Sequence, residues 1–179
     1  MPHNYTTYRV LCVTTPELEA EQAVFLSALA QFADQVSMPE WILFAPATFR
    51  SPFDPNASKS AVEGNIRMCD FFVQIFGDKA PEPVYRGFID YALECAADSS
   101  KPMRRVSALV RESAGVTEEM QVLRRALESD PRCDLRVYAG ANDGAQNNLE
   151  TQLRGIFQDW YAQVRSTALP ESGKATAQG

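Results

Sequence analysis

Histidine is almost absent from the sequence: His3 carries its one imidazole. It falls in a predicted N-terminal tail, residues 1–7, where a side chain has no fixed position. Nucleophilic catalysis by a serine–histidine or cysteine–histidine pair needs a positioned imidazole, and histidine-based zinc sites need several. The composition therefore argues against both chemistries, and we predict neither a metal site nor a resident cofactor.

Cysteine is sparse and widely spaced. The four residues are Cys12, Cys69, Cys95 and Cys133, with no C-x-x-C pair among them. We interpret them as reduced, mostly buried thiols, with Cys12 and Cys69 as the pair expected to approach on neighbouring strands. The sequence also lacks a charged-then-apolar leader and an apolar run of membrane-spanning length. We therefore expect a cytoplasmic protein without a membrane partner.

Positive charge is in deficit. Lysine and arginine number 17 against 23 aspartate and glutamate residues, which gives a net charge of −6. Nucleic acids bind through clustered basic residues, so we expect no nucleic-acid partner. The Arg104-Arg105 and Arg124-Arg125 pairs are interpreted as exposed charges in preference to an anion site. With 45% hydrophobic and 22% charged residues, the composition is that of a globular domain.

Short apolar runs alternate with amphipathic stretches along the chain. Five runs are predicted as strands: residues 8–13, 41–45, 70–76, 106–110 and 135–139. Residues 70–76 are apolar almost throughout, as in a strand buried on both faces. Residues 135–139 alternate, with Arg136 and Tyr138 predicted to face solvent, as at a sheet edge.

This alternation predicts a single-domain, three-layer α/β sandwich of the flavodoxin-like type. Its five-stranded parallel sheet is expected to have the strand order 2-1-3-4-5. The domain is placed at residues 8–165, followed by a disordered C-terminal tail at 166–179. Thr14 or Thr15 is predicted to cap the first helix, and Glu17 stands three residues after Thr14, as in a capping box.

In such a fold, ligands bind outside the carboxyl ends of the strands, where the strand order reverses. Here that point lies between the first and third strands, so the predicted ligand-binding residues are Thr14, Thr15, Gly77, Asp78 and Lys79, with Arg111 and Glu112 to one side. No G-x-G-x-x-G or G-x-x-x-x-G-K-[ST] motif is present. The loop at 140–144 is interpreted as a turn in which Asp143 caps the last helix, with an anion-binding loop as the alternative.

Three segments resemble a known family. The opening RVLCVTTPELEAEQ, residues 9–22, is similar to the first strand and helix of a bacterial TIR-like domain of unknown function, found at the N-terminus of multidomain NTPases and repeat proteins. Residues 66–78 resemble its Cys-Asp, hydrophobic-run, Gly-Asp hallmark, and Asp90-Tyr91 resembles an acidic-Tyr pair on the following helix. The resemblance covers residues 8–112.

The resemblance implies a place among the TIR, SEFIR and nucleoside deoxyribosyltransferase-like proteins. Some of these cleave the N-glycosidic bond of NAD or of nucleosides with a glutamate on the helix after the third strand, which here offers Asp90 and Glu94. Phe88 stands where the family carries a first glutamate, which favours a non-catalytic module. We therefore expect a module that works by protein–protein assembly or self-association and senses a nucleotide-type ligand. An enzyme, an N-glycosidase acting on NAD or a nucleoside derivative, is the alternative, and a solvated helix face is the simpler interpretation of Asp90 and Glu94.

Overall fold

A computed structural model of the chain describes residues 4–49, 55–140 and 148–168. Five parallel strands form one sheet in the order β2-β1-β3-β4-β5. The strands are β1 (Thr6–Val13), β2 (Ile42–Phe49), β3 (Phe71–Phe76), β4 (Arg105–Glu112) and β5 (Cys133–Ala139). This confirms the flavodoxin-like fold class and its 2-1-3-4-5 order.

Helices cover both faces of the sheet. They are α1 (Glu19–Phe32), α2 (Pro55–Met68), α3 (Pro83–Ala97), α4 (Glu118–Glu128) and α5 (Leu149–Ala168). The buried side chains of α1 and α5 form one core with one face of the sheet, and those of α2, α3 and α4 form a second core with the other face. The three layers follow from this division.

Strand β3 lies at the centre of the sheet, between β1 and β4. All six of its residues are buried, as its apolar sequence predicts. Phe71 packs into the core under α1 and α5, whereas Phe72 packs into the core under α2 and α3. At its start, the carboxylate of Asp70 accepts the Arg9 N–H at 2.8 Å, which ties β3 to β1.

Two predictions about side-chain placement are wrong. Tyr138 on the edge strand β5 is buried, because its hydroxyl donates to the carbonyl of Phe76 at 3.0 Å and its ring joins the core under α1 and α5. Cys12 and Cys69 do not approach each other, because they belong to cores on opposite faces of the sheet. All four thiols are free, and Cys133 is the half-buried one.

The last helix is capped by Asn148, whose side-chain oxygen accepts the Thr151 N–H at 2.8 Å. Asp143, predicted as its cap, lies outside the described residues. The helix continues to Ala168, three residues into the predicted tail, and residues 169–179 also lie outside the described part. Within the described residues, no helix combines the length and apolar composition that crossing a membrane requires.

Candidate functional site

The carboxyl end of β1 leads into a tight turn that closes over the sheet edge. Thr15 precedes a single 3-10 turn, Pro16–Leu18, and its carbonyl accepts the Leu18 N–H at 3.0 Å. Neither threonine caps this turn with its side chain in the way that the capping box predicts. Thr14 is fully buried, and its hydroxyl has no hydrogen-bond partner among the described residues. An unpaired buried hydroxyl is costly, so this position is a candidate contact for a ligand.

The turn after β3 packs against the turn after β1. A Cβ on Gly77 would lie 3.1 Å from a methyl carbon of Leu18, so glycine lets the two turns pack closely. The next residue, Asp78, accepts a hydrogen bond from the Ser113 hydroxyl at 2.7 Å, and its carbonyl accepts the Thr117 N–H at 2.9 Å. The turn after β3 is therefore joined to the β4–α4 connection. Lys79 is exposed.

Arg111, at the end of β4, contacts two carboxylates at this edge of the sheet. Its guanidinium donates to the carboxylate of Glu21 in the first turn of α1 and lies 3.9 Å from a carboxylate oxygen of Asp78. It also lies over the ring of Tyr138, 5.8 Å from the centroid. Burial alone lowers the pKa of Arg111, but Tyr138, Glu21 and Asp78 outweigh it and raise that pKa. The guanidinium is thus a fixed positive charge between two carboxylates.

A cavity of about 310 Å³ lies beside Arg111. Its lining combines charged, amide and hydroxyl groups with two valines: Val110, Arg111, Glu112, Ser113, Val116, Gln121, Arg124, Arg125 and Glu128. Arg124 is bound to Glu128 at 3.2 Å, whereas Arg125 has no ion-pair partner in the described part of the chain. The cavity and the charges around Glu21 therefore share one side chain, Arg111.

A second buried polar group lies on the other face of the sheet, near the end of β3. Gln74 lies on the same face of β3 as Phe72 and Phe76, and its amide nitrogen donates to the Tyr85 carbonyl in the first turn of α3 at 2.8 Å. Its amide oxygen is buried without a partner among the described residues. A glutamine inside an otherwise apolar strand thus fixes the start of α3 and leaves one acceptor unused.

The structure does not bring Asp90 and Glu94 to this edge. Helix α3 begins at the carboxyl edge and returns toward the amino edge, as the crossover between parallel strands requires. Asp90 is exposed and accepts a hydrogen bond from Arg86 at 3.2 Å, and Glu94 is exposed as well. The pKa of Arg132, which precedes β5 at the amino edge, is raised chiefly by its hydrogen bond to Asp130 and further by the charges of Glu94 and Asp90. Both carboxylates therefore face away from the turns after β1 and β3.

The predicted residues Thr14, Thr15, Gly77 and Asp78 follow the ends of β1 and β3 at the carboxyl edge, and none of them is among the residues that line the cavity beside Arg111. Sequence reasoning missed Glu21 and Ser113, which complete the charge and hydrogen-bond pattern there. No group of three or more His, Cys, Asp or Glu side chains within residues 4–49, 55–140 and 148–168 is placed to hold a metal ion. The arrangement suits an organic ligand that has both polar and anionic groups.

No protein-family model matches the chain, and no curated protein matches it. Among solved structures, a CMP N-glycosidase of Clostridium botulinum, BcmB, is similar with a TM-score of 0.44 and 13% identity, over 84% of this chain and 98% of that chain. A GDP-L-fucose synthetase from Naegleria fowleri, bound to NADP, is similar with a TM-score of 0.37 and 12% identity, over 93% of this chain and 62% of that chain. Neither similarity assigns a ligand or an activity to this chain.

Proposed function

We propose that the chain is a TIR-like module that senses a nucleotide-type ligand at the carboxyl edge of its sheet and responds through protein–protein assembly. The observation that carries the proposal is the position of Arg111, which both binds Glu21 and lines a cavity. A ligand anion in that cavity would compete with Glu21 for the same guanidinium. Binding would then alter the contact that holds the start of α1.

The lining of the cavity matches the parts of a nucleotide. Its volume of about 310 Å³ lies at the lower end of the range for small-molecule sites. Arginine binds phosphate through two parallel hydrogen bonds, and Arg125 has its donors available in the described structure. Ser113 and Gln121 supply hydroxyl and amide groups for a sugar or a base. Because Glu112 and Glu128 offset part of the positive charge, the site favours a ligand with few negative charges.

Helix α1 provides the link from ligand to partner. It carries Glu21 in its first turn and the exposed side chain of Leu26 one turn and a half later. Met38 and Trp41, which follow α1, are also large hydrophobic residues with exposed surface. Met38 and Trp41 are neighbours, since the Trp41 N–H donates to the Met38 carbonyl at 3.0 Å, and a patch of exposed apolar residues is typical of protein interaction sites. A change at Glu21 would therefore reach a surface suited to assembly.

The binding step is tested by titration calorimetry with AMP, ADP-ribose and NAD. At least one probe is expected to bind wild type, with affinity reduced about tenfold or more in Arg111→Gln, since a hydrogen bond to a charged group contributes about 1.5–3 kcal/mol. Arg154→Gln is the matched control: it removes an exposed arginine from α5, which pairs with Glu150 at 2.8 Å. Equal affinities in the two variants, or no binding of any probe, would contradict the proposal.

The assembly step is tested by light scattering with and without the bound probe. The probe is expected to change the mass of the wild-type particle. Leu26→Glu should leave the probe's affinity unchanged and abolish that change in mass. A mass that is the same with and without ligand in wild type would leave the protein a ligand binder and refute the coupling to assembly.

The N-glycosidase alternative is favoured by the two carboxylates at the carboxyl edge, Glu21 and Asp78. Cleavage of an N-glycosidic bond proceeds through an oxocarbenium-like sugar, which a carboxylate stabilises. Wild type, Glu21→Gln and Asp90→Ala should be incubated with NAD and with nucleosides at high protein concentration, and products separated by chromatography. We expect no turnover in any of them. Turnover in wild type that is lost in Glu21→Gln, and kept in Asp90→Ala, would establish the enzyme instead.

A further inference from the structure

A second cleft lies at the opposite edge of the sheet, where the strands begin. Its volume is about 580 Å³. Arg105 and Cys133 are the first residues of β4 and β5, and the walls come from α3 and α5. The lining residues are Ala96, Arg104, Arg105, Pro131, Arg132, Cys133, Asp134 and Gln163. Nothing in this set belongs to the carboxyl-edge site.

Positive charge dominates the lining. Three of the side chains are guanidinium groups and one, Asp134, is a carboxylate. Carboxylates just outside the lining balance this charge: Asp70 lies 3.9 Å from Arg104, Asp159 lies 3.8 Å from Arg105, and Asp130 lies 2.7 Å from Arg132. An anion in the cleft would therefore be held by hydrogen bonds from guanidinium N–H groups and not by a large net charge.

The ion pairs of Arg104 and Arg105 are loose. The closest approach of Arg104 to Asp70 is 3.9 Å, and Arg105 lies 3.8 Å from both Asp134 and Asp159. No side-chain hydrogen bond is made by either guanidinium within the described residues. Their N–H donors therefore remain available to a ligand.

The pairs of Arg105 are loose because another arginine already holds the same two carboxylates. Arg136 donates to Asp159 at 2.6 Å and to Asp134 at 3.4 Å. Arg132, in turn, is held by Asp130 through hydrogen bonds of 2.7 and 2.9 Å. Arg105 thus keeps its N–H donors free of hydrogen bonds within the described residues, whereas the guanidinium of Arg132 is held in place by Asp130.

Gln163 adds an acceptor to the cleft. Its side-chain oxygen is buried and has no hydrogen-bond partner in the described part of the chain. A bare phosphate or sulfate ion has few protons to offer such an oxygen at neutral pH. A ligand with a hydroxyl or amino group beside its anionic group would pair with it and remove the cost of leaving it unpaired.

We infer that this cleft binds a small phosphorylated polyhydroxyl compound, of the sugar-phosphate class. The phosphate takes hydrogen bonds from the N–H donors of Arg104 and Arg105, which make no side-chain hydrogen bond to another described residue. A hydroxyl of the same compound donates to Gln163. This site is independent of the nucleotide site proposed at the carboxyl edge.

Titration calorimetry at low ionic strength tests the inference with three probes: ribose 5-phosphate, inorganic phosphate and ribose. Ribose 5-phosphate is expected to bind most tightly, inorganic phosphate more weakly, and ribose not at all. Arg105→Gln should lower the affinity for both phosphates by about tenfold or more. Gln163→Leu should lower the affinity for ribose 5-phosphate and leave that for inorganic phosphate unchanged.

Arg154→Gln removes the same charge from the other end of α5 and is expected to change affinity less than twofold. Arg104→Gln serves as a second variant, and circular dichroism shows whether each variant is folded. Failure of wild type to bind either phosphate would overturn the inference, as would equal losses in Arg105→Gln and Arg154→Gln. Loss of ribose 5-phosphate binding in Arg111→Gln, with retention in Arg105→Gln, would place the phosphate at the carboxyl edge and also overturn it.

Discussion

The guanidinium of Arg111 donates to the carboxylate of Glu21, a residue 90 positions earlier in the chain. The contact joins the end of β4 to the first turn of α1, across the point where the strand order reverses. Only 23% of the Arg111 side chain and 15% of the Glu21 side chain are exposed. Water therefore screens this pair less than it screens the other, more exposed pairs, and removal of one partner leaves a shielded charge behind.

Arg111→Gln is predicted to lower the free energy of unfolding by about 1–3 kcal/mol, between the values typical of exposed and buried pairs. Urea unfolding followed by circular dichroism measures the change. Arg154→Gln, which breaks an exposed pair with Glu150, is expected to cost less than about 1 kcal/mol. Equal effects of the two substitutions would show that the Arg111–Glu21 contact adds no stability of its own.

Phe72 is fully buried in the central strand, and truncation there creates a cavity that the surrounding strands cannot close. Phe72→Ala is predicted to destabilise the fold by about 3–5 kcal/mol in the same urea assay. Val122→Ala, at an exposed position on α4, should change stability by about 0.5 kcal/mol or less. A loss below about 1 kcal/mol for Phe72→Ala would be inconsistent with its packed environment.

The buried thiols make stability depend on alkaline pH. Burial, with a smaller contribution from Asp70, raises the pKa of Cys69 from 9.0 to about 12, so the thiol stays protonated in the folded protein where it ionises in the unfolded chain. Its contribution to stability is complete below pH 9 and is lost between about pH 9 and pH 12. Cys69→Ala should flatten this decline in a series of unfolding curves. Native protein at pH 8 should also react slowly with iodoacetamide, and denatured protein should show four reactive thiols.

Removal of the buried hydroxyl of Thr14 is predicted to leave stability unchanged or to raise it by up to about 1 kcal/mol, because the hydroxyl has no partner to lose. Thr14→Val keeps the shape of the side chain, and thermal unfolding measures the result. Thr117→Val provides the opposite case, since the Thr117 hydroxyl accepts the Met120 N–H at 3.3 Å and caps α4. That variant should lose about 1 kcal/mol. A destabilised Thr14→Val would mean that the hydroxyl is paired in solution.

The sheet could be predicted because the apolar content of a strand indicates how deeply that strand is buried. The run from Phe71 to Phe76 has almost no polar residue and takes the central position. The prediction for Tyr138 is wrong because alternation along an edge strand does not reveal which group accepts the hydrogen bond of a tyrosine hydroxyl. Here the carbonyl of Phe76, the last residue of β3, accepts it, so the ring can enter the core.

The carboxyl-edge residues could be predicted from topology alone, since every parallel strand ends at the same edge. The role of Glu21 could not be predicted, because its contact with Arg111 depends on the orientation in which α1 packs against the sheet. The placement of Asp90 was readable in advance: with Phe88 and Ala92 facing inward, a 3.6-residue repeat turns Asp90 outward. The family resemblance points to the carboxylate of Asp90, which lies on the solvent-facing side of α3.

Strand β1 pairs with β2 on one side and with β3 on the other, and both pairings are parallel. During synthesis, residues 6–49 supply β1, α1 and β2, so the growing sheet has two strands and a helix on one face only. The inner edge of β1 then stays open until residues 71–76 have emerged, and an open edge can pair with another chain. The strand order thus makes folding slow relative to helical proteins of this size. Nascent chains that stall before β3 are the ones most exposed to aggregation.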